Sequence, residues 1–137
     1  LTQFGRACHF PVVCEYLSGQ SVYLGDKSLL TQALHCNGAV IARLNYGGDH
    51  YVLLTGQEEN QVSMFDPYYR KRPFVQRDIQ LLENEPFRRN RIVTAERLNT
   101  EEKQGVYALG PIKAREAILL FNEETRLTAE KTIEYFI

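Results

Sequence analysis

Apolar and polar positions change period several times along the chain, and each change marks an element. Residues 10–19, "FPVVCEYLSG", alternate with β-branched and aromatic side chains and predict a short strand closed by Ser18-Gly19. "GDKSLLTQALHCNG" predicts a helix. Asp26 is placed to cap its N-terminus, Leu29, Leu30, Ala33 and Leu34 form one apolar stripe, and Asn37-Gly38 supply a left-handed stop. Three apolar runs follow, "AVIARLNY", "HYVLLTG" and "QVSMFDP", joined by the turn-length connectors "GGD" and "QEEN". Connectors this short favour an antiparallel meander, and the second run, apolar on both faces, reads as its central strand. From residue 68 to 100 the pattern weakens, and Pro73 and Pro86 interrupt any long helix, which predicts loop with short elements. "REAILLFN" (115–122) predicts a further strand, and "TAEKTIEYFI" a closing helix capped by Thr128.

Composition narrows the class. With 137 residues, 44% of them apolar and 24% charged, residues 1–137 are expected to form a single soluble domain with a real core. No apolar run approaches the roughly 18 residues of a spanning helix, so no membrane insertion is expected. Cys8, Cys14 and Cys36 are odd in number and lack the dense spacing of a disulfide scaffold, which points to a reducing compartment and a cytoplasmic location. Net charge is −1, but "YRKRP" and "FRRNR" make the middle of the chain, Arg70 to Arg91, locally basic. The chain as a whole is near neutral and carries no recognition motif, so this patch reads as a solvated face and no nucleic-acid partner is expected. A zinc site drawn from Cys8, His9, Cys14, His35 and Cys36 would need ligand knuckles that these spacings do not provide, and neither metal nor cofactor is expected. Composition is silent on oligomeric state.

The candidate chemistry lies in the hairpin. If the loop is the five residues 56–60, His50 falls directly opposite Asp66; if it is the four residues 57–60, the two are diagonal neighbours. In both cases an imidazole nitrogen is expected within hydrogen-bond reach of an Asp66 oxygen at the open end of the hairpin. A carboxylate there would accept the Nδ1 proton, fix the tautomer and stabilise the imidazolium, as the base-and-orienter half of a nucleophilic site does. His and Asp-Pro are also ordinary strand-end residues, so the pattern alone leaves catalytic and structural roles open. His35, at a helix C-terminus, is explained by the helix dipole, and His9 lies beside a proline-terminated segment. Cys14 in a strand and Cys36 at a helix end read as small buried apolar residues rather than reactive ones.

The segment "DHYVLLTGQEENQVSMFDPYY" resembles the His-to-Asp segment of the bacteriocin-processing cysteine peptidases, family thirty-nine, and especially their stand-alone branch. "ALHCNGAVIARL" looks like the helix and strand before the histidine, and "YALGP" with "REAILLFN" like the end of that branch, so the resemblance spans residues 10–122. It implies an α+β, papain-like fold with a central antiparallel sheet and flanking short helices. It also implies a Cys-His-Asp triad acting on an amide bond of a peptide or protein substrate, with His50 as general base and Asp66 as its orienting acid. The family's Asp-Cys-Gly-Pro nucleophile segment does not occur in the chain, which begins at Leu1, so the domain is expected to be N-terminally incomplete, with the nucleophile upstream. Cys8, five residues after Gln3, is the candidate inside the chain, although too few residues separate it from His50 for a nucleophile helix and its packing partners. The same triad would serve a deamidase or acyltransferase, and the fold without a nucleophile would serve as a peptide-binding module.

Overall fold

The computed structural model of the protein describes residues 11–84 and 88–122, and these build one seven-stranded sheet in the order β1-β7-β2-β3-β4-β6-β5. The strands are β1 (Val12–Ser18), β2 (Ala39–Asn45), β3 (Asp49–Glu58), β4 (Gln61–Phe65), β5 (Ile79–Leu81), β6 (Arg91–Thr94) and β7 (Glu116–Asn122). Every pairing is antiparallel. The predicted meander β2-β3-β4 is present, and β3 is the central strand of the seven. The closing helix expected from Thr128, like Cys8 and His9, lies outside the described residues.

Helix is scarce. Among the described residues α1 (Leu29–His35) and α2 (Ala95–Leu98) are the only α-helices, seven and four residues long. The expected papain-like α+β class is therefore corrected: the chain forms a β-rich fold of antiparallel strands. The His-to-Asp hairpin that carries the resemblance specifies local strand pairing only, and the layers beyond it are set by residues whose pattern supports strands and loops rather than helices.

α1 is capped by Ser28, whose hydroxyl accepts from the Thr31 amide at 3.3 Å, and not by Asp26, which is exposed three residues before the helix. Ser28 is fully buried and also donates to the carbonyl of Tyr23, two ties that exposed Asp26 does not offer. Leu30, Ala33 and Leu34 of the predicted stripe are buried, while Leu29 is 42% exposed. The helix packs across β2, β3 and β7, and Asn37, with φ 58, ends it in the left-handed turn the sequence predicts.

The two faces of the sheet differ. One carries the inward rows Val40-Ala42-Leu44, Val52-Leu54, Val62-Met64 and Ala117-Leu119, all buried and joined in one core cluster with α1 and α2. On the other face Tyr16, Ile118, Ile41, Leu53 and Phe65 stand opposite one another in turn as one apolar row across five strands.

The segment after α2 folds back over the core end of β2. The Asn45 amide donates to the Ala108 carbonyl and the Tyr107 amide to the Asn45 carbonyl, both at 2.8 Å. Gly110, at φ 75, sits so close that a Cβ there would lie 2.6 Å from Asn45 Nδ2. Arg115, 5% exposed, donates to the carbonyls of Gly110, Val22 and Asn99 and so ties three loops together. Burial lowers the Arg115 pKa from its ordinary value, an effect partly offset by the charge of Glu101. No helix among the described residues is long and apolar enough to cross a membrane.

Candidate functional site

Three inward rows change from apolar to polar at the same end of the sheet. β3 runs Leu54, Val52, His50; β4 runs Val62, Met64 and then, one residue past its end, Asp66; β6 runs Val93, Arg91. Alternation keeps each polar residue on the core face of its strand, so all three are buried: His50 is 5% exposed, Asp66 1% and Arg91 2%.

The hairpin that brings His50 to Asp66 is tighter than expected. β3 continues through Glu58, which pairs with Gln61, leaving only Glu59 and Asn60 in the turn, with Glu59 at φ 51. The turn alone would carry that register to Leu54 opposite Phe65; the one-residue irregularity between Leu54 and Gly56 shifts it, so that Leu54 faces Met64, not Val62 as the five-residue loop would require. Neither of the two registers predicted from the sequence is the one formed. Continued one pleat, the observed register sets Val52 opposite Asp66 and makes His50 its diagonal neighbour, a separation an imidazole spans. His50 Nε2 lies 2.9 Å from Asp66 Oδ1.

That nitrogen is Nε2, not the expected Nδ1. A carboxylate oxygen accepts, so Nε2 is assigned as the donor of this bond, the tautomer that leaves the ring lone pair on Nδ1. Among the described residues Nδ1 has no hydrogen-bond partner; what surrounds the ring is aromatic. Tyr68 stacks on it at 4.4 Å between centroids, and Tyr46 is tilted against it at 5.6 Å.

Asp66 is held at every polar atom. Oδ1 also accepts from the Tyr68 amide at 2.8 Å, and Oδ2 accepts from the Tyr107 hydroxyl at 2.5 Å. The side-chain amide of Asn90 clamps the main chain of Asp66, accepting from its amide at 2.8 Å and donating to its carbonyl at 2.7 Å, in place of the ladder that β4 has just left. Arg91 donates through Nε to the Tyr107 hydroxyl at 3.2 Å and through its terminal nitrogens to the carbonyls of Asn90 and Tyr68. Burial pushes the Tyr107 hydroxyl well above the usual tyrosine range, with the hydrogen bond to Asp66 and its charge adding to the rise, so Tyr107 remains a neutral donor.

Arg91 corrects the expectation of a solvated basic face. It is buried in this cluster, and its guanidinium lies 5.6 Å from the ring centre of Phe74, which Arg70 approaches at 4.2 Å from its own position. The inward parity of Arg91 with Val93 in "RIVT" is a signal the sequence does contain. Tyr107, 41 residues from Asp66, has no local signal at all. A cavity of about 380 Å³ opens beside the site, lined by Tyr68, Asn90 and Arg91 of the cluster together with Lys71, Leu82 and Glu83.

The described cysteines are elsewhere. Cys14 on β1 faces Leu120, which faces Ala39 at the opposite end of β2 from Leu44, the partner of His50. The expected burial of both is corrected: Cys14 is half-buried, and Cys36 is exposed at the end of α1, just before that same far end, where the helix has left the core. Cys8 lies outside the described residues. Among the described residues no group of three His, Cys, Asp or Glu side chains is arranged to hold a metal ion. No protein-family model, no curated protein and no solved structure matches the chain.

Proposed function

We propose that His50 and Asp66 are the base and orienting acid of a thiol hydrolase acting on an amide bond of a peptide or protein substrate, in the manner of the bacteriocin-processing cysteine peptidases the hairpin resembles. The observation that carries this reading is the buried Nε2–Asp66 bond at 2.9 Å, with no partner for the Nδ1 of His50 among the described residues. In this reading Nδ1 takes the thiol proton as the sulfur bonds to the carbonyl carbon. The imidazolium, balanced by Asp66, returns that proton to the amine as the carbon–nitrogen bond breaks. Water, deprotonated at Nδ1, then attacks the thioester and expels the thiolate. A nucleophile other than water would make the same site an acyltransferase, and a primary amide substrate would make it a deamidase. The described cysteines lie at the far end of the sheet, so the nucleophile this reading requires is a cysteine outside the described residues, with Cys8 the candidate in the sequence. Its thiol belongs to a reducing, cytoplasmic setting, in keeping with the sparse cysteines.

The cover of Tyr68 over an imidazole only 5% exposed favours a second reading, a peptide-binding module without turnover. Intact mass after brief exposure to a thiol alkylator separates the two, on the 137-residue chain and on the full-length natural chain. One cysteine should label fast, and His50→Ala should slow that label by on the order of 10²-fold, the usual worth of a positioned base. Labelling that is uniformly slow, or indifferent to His50, would pass the lead to the binding module.

A further inference from the structure

We infer that Tyr107 and Arg91 are positioning residues for the His50–Asp66 pair, a buried relay that fixes the orientation in which the carboxylate meets the imidazole; this rests on the base-and-orienter reading of that pair. A carboxylate turns readily about its last torsion, with two equivalent oxygens. Here the two are made inequivalent: among the described residues Oδ1 serves His50 and the Tyr68 amide, while Oδ2 serves Tyr107. The Tyr107 hydroxyl already accepts from the Arg91 guanidinium, so its single proton is directed to Asp66. The same guanidinium holds the carbonyls of Tyr68, whose ring stacks on His50, and of Asn90, whose amide clamps the Asp66 main chain. One cation therefore braces the carboxylate's donor, the ring wall and the main-chain clamp.

Two features separate this arrangement from ordinary packing. Tyr107 is fully buried at φ 61, a left-handed conformation that a bulky residue adopts only where its surroundings impose it. Arg91 occupies an inward strand position on the same face as buried Val93, opposite Met64 in the apolar core. A core built for stability alone is served as well by apolar residues at such positions, because burying charge carries a desolvation penalty.

The test is proton NMR of the His50 Nε2–H on the 137-residue chain. In the wild type a downfield imidazole proton is expected. In Tyr107→Phe its exchange with water should rise at least about tenfold, while the Val52 and Met64 amides keep their protection. Arg91→Lys, which keeps the charge but loses the planar fork, should fall between the two and supplies the answer if Tyr107→Phe does not fold. An unchanged Nε2–H in either folded variant, or loss of protection at Val52 and Met64 in step with it, would overturn the relay. If the Nε2–H responds as expected while thiol labelling ignores His50, the relay stands and the hydrolase reading fails.

Discussion

At the residue scale the site is a set of single atoms with assigned partners, and Tyr107 shows the consequences most directly. Its hydroxyl pKa is raised by burial above the ordinary 10.0, so the folded chain keeps a proton that the unfolded chain releases. The stabilisation is complete below about pH 10 and is lost as pH climbs past that value. The surface hydroxyl of Tyr16, raised by its bond to Glu116, adds the same sign, so the comparison must be made against a variant. The urea midpoint of the wild type should drop more steeply between about pH 9.5 and 11 than that of Tyr107→Phe. Parallel curves would mean that Tyr107 ionises as freely in the fold as out of it. At this scale the sequence disclosed His50 and Asp66, because each sits at an edge of a periodic run. It hid Tyr107 and Asn90, whose roles exist only through contacts across the fold.

At the element scale, parity and turn length do the placing. Alternation was legible in β2, β3 and β4, and it puts His50 and Asp66 on one face whichever even register forms. The register itself was not legible, because it depends on a two-residue turn in which Glu59 accepts a left-handed backbone and on the irregularity between Leu54 and Gly56 that restores the parity this turn alone would break, choices that local residue preferences do not announce. The helix cap is a similar case. Asp26 and Ser28 are both good caps by type, and the burial of Ser28, with its second bond to Tyr23, decides between them. Ser28→Ala should lower stability by about 1 kcal/mol and Asp26→Ala by less than about 0.5 kcal/mol, read from urea midpoints. The reverse order would return the cap to Asp26.

At the scale of the whole molecule, the site is assembled from strands at three positions in the sheet and from a loop that arrives after α2. That loop reaches Asp66 only because Tyr107 and Ala108 bond to Asn45 and because Gly110 leaves room for the Asn45 side chain. Gly110→Ala adds a methyl where 2.6 Å is available and asks a non-glycine residue to hold φ 75. It should cost about 1–3 kcal/mol in a urea titration and disturb the His50 Nε2–H although it touches neither catalytic candidate. A neutral variant would mean that the loop is free to shift and does not locate Tyr107.

Periodicity and punctuation alone determined that the centre of the chain is an antiparallel meander and that a short amphipathic helix precedes it, and they singled out His50 and Asp66 as residues at its open end. These are properties of neighbours in sequence, fixed by sterics and by the two-residue repeat of a strand. The tertiary structure alone decided that the fold is β-rich, that Nε2 and not Nδ1 meets the carboxylate, and that a buried arginine and tyrosine stand behind it. Each of these depends on which distant segments pack together, and packing between segments leaves no period in the sequence for a reader to find.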